Sequence, residues 1–191
     1  MKNPGHRLGA SGTTLENTIE GLRDSLGVSS ESRFRYWEFD IRESSDGVLF
    51  VFHDDTIESG GTKIETSGMG FGRIVEAGLE LGIRIPTFWE VVKELEGRDE
   101  PVMVEIKQIS TDGGRKEVID ALSSKPRWKV MATPERFEKI FPLESRNRWK
   151  EDFGAAGVKV VRVGRHRVDL FKASESGIGW FFAQPKWFFG I

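Results

Sequence analysis

Short blocks of hydrophobic residues, separated by polar stretches, predict strands that alternate with helices along most of this chain. Residues 102–106 form a nearly continuous apolar run, which is typical of a strand buried on both faces. Residues 34–41 alternate and are rich in aromatic side chains, which predicts another strand. An Asp-Gly turn joins it to a strand at 48–52 too closely for a helix to lie between them. Further strands are predicted at 128–131, 158–163 and 178–183.

Helical periodicity fills most of the intervals between these strands. A helix is predicted after Thr18, and a second over 87–95, where Thr87 is a suitable N-cap. A third is predicted over 116–122 and a fourth from 133–135, which combines a hydroxyl side chain with proline at the first helical position. Strands that alternate with helices favour an α/β fold with a parallel sheet.

Residues 55–85 interrupt the alternation because they are rich in glycine. They contain neither a phosphate-binding GxxxxGK[ST] loop nor a GxGxxG element between a strand and a helix. We interpret them as an insertion within a single domain that spans residues 1–191. No linker long enough to separate two domains is present in the sequence.

Composition narrows the possible functions. The 191 residues include no cysteine, which excludes disulfides, thiolate zinc sites and a cysteine nucleophile. This is consistent with a reducing environment, and we expect a cytoplasmic protein. The formal charge of -2 favours neither nucleic acid nor an anionic membrane as a partner. No apolar run is long enough to span a bilayer. The aromatic segment 179–191 is expected to lie in the core, with weak contact to a membrane surface as the alternative.

Four short clusters contain the residue types that catalysis uses: His6-Arg7, Glu38 with Asp40, His53-Asp54, and Glu105 with Lys107. Residues two apart on a strand project from the same face. In a parallel β/α protein the functional site forms at the carboxyl ends of the strands, where the strand clusters fall. Each cluster alone is typical of a turn or a salt bridge, so the prediction depends on all four together.

The acidic residues of these clusters predict a cation site. Carboxylates that point into a crevice are costly unless they are paired or bound to metal. Glu38, Asp40 and Glu105 supply three hard oxygen ligands, which suit Mg²⁺ or Ca²⁺, or Mn²⁺, better than zinc or copper. We therefore expect one divalent cation at these three residues.

The basic residues and histidines predict the reaction class. Arg7 and Lys107 match an anionic small-molecule substrate, and Arg is suited to bidentate contact with phosphate. His6 and His53 have side chains that titrate near neutrality, so they are candidates for general acid and base. Together with the cation these residues predict cleavage of a phosphate ester.

The ordered motifs resemble the signature of the glycerophosphodiester phosphodiesterase family. They are, in order, His6-Arg7, Glu16-Asn17-Thr18, Glu38-Phe39-Asp40, Asp46-Gly47, Val51-Phe52-His53-Asp54, Ile85-Pro86-Thr87 and Glu105-Ile106-Lys107. The resemblance implies a TIM-type (β/α) barrel with an insertion after the third strand. It also implies hydrolysis to an alcohol and sn-glycerol 3-phosphate. The resemblance further implies a divalent cation at Glu38, Asp40 and Glu105, acid–base roles for His6 and His53, and phosphate contacts from Arg7 and Lys107.

The length modifies the expected barrel. A (β/α)₈ barrel typically has ~250 residues. The resemblance therefore implies a trimmed barrel with a short first strand at 2–6 and a compressed or missing last unit. Two alternative functions remain open at this point. One is a phospholipase D-like lyase that releases a cyclic phosphate from lysophospholipid or sphingolipid, and the other is a non-catalytic module that binds a phosphorylated ligand.

Overall fold

A computed structural model describes residues 3–162, apart from the side chains of residues 134, 138 and 162, and its main feature is a five-stranded sheet. The strands in chain order are β1 (Trp37–Glu43), β2 (Leu49–Val51), β3 (Thr56–Ser59), β4 (Thr62–Glu65), β5 (Val102–Gln108), β6 (Trp128–Ala132) and β7 (Lys159–Arg162). The spatial order of the main sheet is β2-β1-β5-β6-β7, and all of its strands are parallel except β2. The predicted α/β fold with a mainly parallel sheet is confirmed.

The helices lie between the strands where the periodicity predicts most of them. They are α1 (Ile19–Asp24), α2 (Phe71–Glu80), α3 (Phe88–Glu94), α4 (Asp112–Leu122), α5 (Pro134–Ile140) and α6 (Arg146–Ala155). Thr18 and Thr87 cap α1 and α3 through their hydroxyl groups, as predicted. Thr133 is the N-cap of α5, but its side chain makes no capping hydrogen bond. No helix within residues 3–162 has the length and apolar character needed to cross a bilayer.

The two faces of the main sheet have different chemistry. The odd-numbered positions of β1 and the even-numbered positions of β5 and β6 belong to one large hydrophobic core: Trp37, Phe39, Ile41, Val102, Val104, Ile106, Trp128, Val130 and Ala132. Helix residues such as Val91 and Val118 pack in that core. On the opposite face, Met103, Met131 and Val161 form a smaller apolar cluster with Tyr36. This second face also carries Glu38, Asp40, Glu105 and Lys107, so it holds the candidate site. The expectation that these clusters fall at the carboxyl ends was wrong for the three carboxylates, because β1 continues to Glu43 and β5 to Gln108.

The segment 55–85 is more regular than its glycine content predicts. It contains the antiparallel hairpin β3–β4, in which Thr56 pairs with Glu65, followed by α2. Ile57, Ile74 and Ile85 pack with Phe50 in a separate core cluster that fixes this segment to β2. The segment therefore contains regular structure, because its spaced apolar residues are buried together despite the many glycines between them.

The predicted first strand at 2–6 takes a turn conformation over its described part, residues 3–6. It still lies along β1, because Glu38 N–H donates to the Gly5 carbonyl and Leu8 N–H donates to the Glu38 carbonyl. A Cβ on Gly5 would lie 2.2 Å from the Tyr36 carbonyl oxygen, so only glycine permits this close approach. The left-handed conformations of Arg7 and Leu8 explain why the segment is not a regular strand.

The other predicted boundaries differ modestly. β1 begins at Trp37 rather than at residue 34, and α4 begins four residues before the predicted 116–122. The described part of the strand predicted at 158–163 is β7. The strand predicted at 178–183, the aromatic segment 179–191 and the compressed or missing last unit lie outside the described residues.

Candidate active site on the charged face of β1 and β5

Three buried carboxylates meet on the charged face of the sheet. Asp40 pairs directly with Glu105 across the parallel strands β1 and β5, and Glu38 precedes Asp40 by two positions on the same face. One ligand oxygen from each residue lies within 4.8 Å of those of the other two, and each residue is only 1% exposed. The predicted grouping of these three side chains is therefore present in the fold, and it follows directly from strand register.

Lys107 lies between two of these carboxylates. Its Nζ is 2.7 Å from Glu105 Oε1 and 3.1 Å from Asp40 Oδ1. Burial of Asp40 favours its protonated form, but the Lys107 ammonium and a hydrogen bond from Asn17 outweigh burial and hold the pKa of Asp40 below its usual value. A protonated His53 also lowers the pKa of Asp40, so its imidazole is within electrostatic range of the acidic cluster. Asp40 is therefore ionised at neutral pH.

The strained N-terminal segment brings His6 and Arg7 to the same site. Arg7 N–H donates to Glu38 Oε2 at 2.9 Å, and Arg7 has a φ of 51°. Its guanidinium Nη1 lies 2.5 Å from Glu16 Oε1, while its Nε lies 3.8 Å from Asp40 Oδ2. A left-handed conformation at a non-glycine residue costs about 1–2 kcal/mol, and such strain is concentrated at functional sites. The backbone therefore holds Arg7 against the carboxylates.

The two predicted histidines approach the acidic cluster on different segments. His6 Nδ1 forms a 2.8 Å hydrogen bond with Ser11 Oγ, and its Nε2 is 3.5 Å from Glu38 Oε2. His53 follows β2 and forms a 2.6 Å hydrogen bond through Nδ1 with Asp54 Oδ1. The His53 side chain is 32% exposed, so it faces solvent as well as the site. Each ring is thus oriented by a polar neighbour through Nδ1.

Asn17 is a site residue that we did not single out from the sequence. Its Nδ2 donates to Asp40 Oδ2 at 2.8 Å, and its Oδ1 accepts from the Asp40 N–H at 3.2 Å. Its φ of 62° suits asparagine, which adopts the left-handed region more readily than most residues. The Glu16-Asn17-Thr18 motif was a usable signal, since Glu16 binds Arg7 and Thr18 caps α1.

The three carboxylates fit a divalent cation. Calcium binds oxygen ligands at ~2.3–2.6 Å and magnesium at ~2.0–2.1 Å, so ligands of one ion lie within about 5 Å of one another. The oxygens of Glu38, Asp40 and Glu105 meet that condition, and a buried group of three carboxylates favours a bound cation electrostatically. A divalent cation therefore suits this site, while the identity of the ion does not follow from the side chains.

The mainly parallel α/β sheet, with charged residues gathered on one face, places the chain among the α/β proteins, a class that includes the TIM-barrel enzymes. The sequence model of the glycerophosphoryl diester phosphodiesterase family matches residues 6–139. The chain belongs to that family. The resemblance seen in the ordered motifs is thereby confirmed.

Two glycerophosphodiester phosphodiesterases illustrate how similar this chain is to known proteins. A glycerophosphodiester phosphodiesterase from Caldanaerobacter subterraneus subsp. tengcongensis is 30% identical over 115 residues, which are 53% of this chain and 43% of that protein. A crystal structure of a glycerophosphoryl diester phosphodiesterase from Parabacteroides distasonis is similar with a TM-score of 0.57 and 19% identity, over 92% of this chain and 59% of that one. This chain therefore spans less than two thirds of the length of both proteins.

A third similar structure contains a bound product. It is a phosphodiesterase from Oleispira antarctica in complex with the product sn-glycerol 3-phosphate. Its TM-score is 0.50 at 18% identity, over 91% of this chain and 89% of that one. At these identities the structural matches establish the fold, and the fold is of TIM-barrel type.

Proposed function

We propose that this chain catalyses the metal-dependent hydrolysis of glycerophosphodiesters to an alcohol and sn-glycerol 3-phosphate. The observation that carries the proposal is the meeting of three buried carboxylates with Lys107 and the His6-Arg7 segment. Membership in the phosphodiesterase family supports the reaction class. The product bound to the similar Oleispira phosphodiesterase supports glycerol 3-phosphate as the product here.

In this proposal Glu38, Asp40 and Glu105 hold the cation. When bound, a divalent cation supplies Lewis-acid stabilisation of charge on phosphoryl oxygens. Arg7 and Lys107 contact the phosphate oxygens, because they are the permanent cations nearest to the carboxylates. Arg7 Nε is buried and lacks a hydrogen-bond acceptor among the described residues, so it is available to a substrate oxygen.

His6 and His53 carry the protons. One imidazole accepts a proton from the attacking water as its oxygen bonds to phosphorus. The other donates its proton to the alcohol oxygen as the bond from phosphorus to that oxygen breaks. Ser11 and Asp54 hold the two rings in place through Nδ1, and the proposal assigns the proton transfers to Nε2.

Formal charge supports this assignment. Glu16 and the three clustered carboxylates face two permanent cations, Arg7 and Lys107, so one divalent cation balances the site. A single protonated histidine then matches the one negative charge of a phosphodiester. Burial makes such balance important, because uncompensated charges are costly in a site of low dielectric.

The direct test measures release of sn-glycerol 3-phosphate from glycerophosphocholine with Mg²⁺ or Ca²⁺. We expect His6→Ala and His53→Ala each to lower kcat at least ~10²-fold, because each removes one proton transfer. His166→Ala is the matched control, since the sequence gives the third histidine no role. Unchanged rates in both site variants would disprove the acid–base assignment. ³¹P NMR of the product distinguishes the open phosphate from the cyclic phosphate of the lyase alternative.

Cation binding is tested separately by calorimetry. Glu38→Gln removes one anionic ligand, so we expect a weaker affinity for the cation and a higher cation concentration for half-maximal rate. Glu117→Gln, on α4, removes a partly buried carboxylate outside the cluster and serves as the control. Equal affinities in the wild type and Glu38→Gln would show that Glu38 is not a ligand.

A further inference from the structure

Two arginines from distant parts of the sequence converge beside the candidate active site. Arg42 lies on β1 and Arg136 on α5, and both bind the carboxylate of Asp55. Arg42 Nη2 is 2.5 Å from Asp55 Oδ1, and Arg136 Nη1 is 3.1 Å from the same oxygen. We refer to Arg42 and Arg136 as the arginine pair.

The arginine pair donates hydrogen bonds to the backbone carbonyl groups of two residues of the proposed active site. Arg42 Nη2 donates to the His53 carbonyl at 2.8 Å, and Arg136 Nη1 donates to the Lys107 carbonyl at 2.8 Å. The pair therefore lies next to one proposed acid–base residue and one proposed phosphate ligand. A substrate group bound to the arginine pair would therefore belong to the same molecule as a phosphodiester bound at Arg7 and Lys107.

The arginine pair lines an open cavity of about 580 Å³. Lys107 lines the same cavity, so the cavity is continuous with the candidate site. Its described charged residues are five basic and three acidic: Arg42, Lys107, Arg115, Arg136, Lys139, Asp55, Glu65 and Glu135. The cavity is thus wide enough for a polar ligand. Lys107 and Arg115 are compensated by Asp40, Glu105 and Asp112 outside the lining, so the arginine pair is the group in this cavity that can bind an anion.

The positive charge of the arginine pair is incompletely compensated. Arg42 is 2% exposed, and its Nε has no hydrogen-bond partner among the described residues. Asp55 is shared between the two guanidinium groups, and its side chain is 56% exposed. Burial lowers the pKa of Arg42, while Asp55 opposes this shift. A second anion would complete the site.

We propose that the arginine pair binds an oxyanion on the alcohol half of the substrate, and that this chain prefers glycerophosphodiesters whose head group carries a phosphate monoester. The inference rests on the proposed function, since it places the diester phosphate at Arg7 and Lys107. The glycerol half carries no charge beyond the diester, so the additional oxyanion belongs to the other alcohol. Guanidinium groups bind phosphate oxygens in a bidentate manner, which suits a phosphate monoester.

The test compares two substrates that differ by one phosphate group, sn-glycero-3-phosphoinositol 4-phosphate and sn-glycero-3-phosphoinositol. We expect the wild type to cleave the phosphorylated substrate with a kcat/KM at least ~10-fold higher, since a site built for a polar group discriminates against an analogue that lacks it. Arg136→Gln should bring this ratio close to one. Arg136→Lys should give an intermediate ratio, because it keeps the charge but loses the bidentate geometry.

Arg73→Gln is the matched control, because Arg73 is an exposed residue on α2 and its loss changes the net charge equally. Its ratio should equal that of the wild type. Arg136 also binds the Lys107 carbonyl, so its substitution can lower the rate with both substrates. The measurement is therefore the ratio of the kcat/KM values of the two substrates. Thermal unfolding of each variant shows whether its fold is retained.

The outcomes separate the two proposals. Cleavage of both substrates at equal kcat/KM would overturn the head-group inference while supporting the proposed function. A high ratio that persists in Arg136→Gln would overturn the assignment to the arginine pair. If neither substrate is cleaved, the proposed function fails, and calorimetric titration of both compounds decides the inference. Tighter binding of the phosphorylated compound, lost in Arg136→Gln, would support it, and equal affinities would overturn it.

Discussion

Lys107→Met tests whether the buried cluster depends on its internal cation. Lys107 is 7% exposed and contacts both Asp40 and Glu105, at 3.1 and 2.7 Å. Methionine has a similar shape and fills the same space, so the substitution removes mainly the charge. Removal of one partner from a buried ion pair costs about 3–5 kcal/mol, because the remaining charges lose their compensation. We expect the free energy of unfolding to fall by that amount in the absence of divalent cations.

Divalent cations should narrow the difference in free energy of unfolding between the wild type and Lys107→Met. A cation at 100 times its dissociation constant stabilises a folded protein by about 2.7 kcal/mol. Lys107 repels an incoming cation, so the variant should bind one more tightly than the wild type. A tenfold gain in affinity would reduce the stability difference by about 1.4 kcal/mol. The assay is urea denaturation of both proteins, first with EDTA and then with saturating Mg²⁺ or Ca²⁺.

Lys93→Met is the control for loss of a lysine charge at an exposed position. Lys93 is exposed in the last turn of α3, and its substitution should change stability by no more than ~0.5 kcal/mol. The reasoning would be refuted if Lys107→Met lost less than about 1 kcal/mol in EDTA. It would also be refuted if saturating cation widened the difference between Lys107→Met and the wild type.

Three further predictions concern residues that support the site and α3. Asn17→Ala should lower the free energy of unfolding by about 2–4 kcal/mol, because it removes both hydrogen bonds to Asp40. Asn17→Gly should lose about 1 kcal/mol less than Asn17→Ala, since glycine tolerates a φ of 62°. Equal losses for the two variants in urea titrations would show that the positive φ at this position does not affect stability. Thr87→Ala removes the cap of α3 and should cost about 1 kcal/mol in the same titrations, whereas no loss would show that the cap is dispensable. Burial raises the pKa of Glu90, but hydrogen bonds from Thr87 and Arg84 outweigh burial and hold this pKa below its usual value. A depressed carboxyl pKa stabilises the fold above the unfolded value of ~4.3, and the contribution is lost as pH falls through the folded pKa. The difference in free energy of unfolding between the wild type and Glu90→Gln should therefore be largest at pH 7 and decline below about pH 4. A difference that is constant with pH would contradict a contribution from the Glu90 charge.

The acidic cluster could be predicted because strand geometry is local and periodic. Glu38 and Asp40 share a face through their spacing alone, as Glu105 and Lys107 do. The remaining step, that β1 and β5 are neighbours, follows from the tendency of consecutive strands of a sheet to pair, although β2, the β3–β4 hairpin, α2 and α3 lie between them in the chain. The ordered motifs then identified the family, so the central part of the site required little information beyond the sequence.

The backbone of residues 5–17 could not be predicted in the same way. Three non-glycine residues in this segment, Arg7, Leu8 and Asn17, have positive φ values. Such conformations are held by tertiary contacts, here the hydrogen bonds between this segment and Glu38 or Asp40, rather than by local preference. The resemblance to the family implies a first strand at 2–6, and neither this resemblance nor hydrophobic periodicity reveals a strained turn.

The arginine pair shows a second limit of sequence reasoning, and it bears on function. Arg42 and Arg136 are separated by ninety-four positions and lie on a strand and a helix whose relative placement depends on the whole sheet. Neither belongs to a motif, so composition and spacing give no reason to associate them. The proposed metal ligands come from regular strands, whereas the pair is assembled across β1, α5 and the segment before the β3–β4 hairpin. If the arginine pair selects the head group, catalysis and substrate preference are encoded in separate parts of the fold, and Arg136 can change the preference without altering any carboxylate of the cluster.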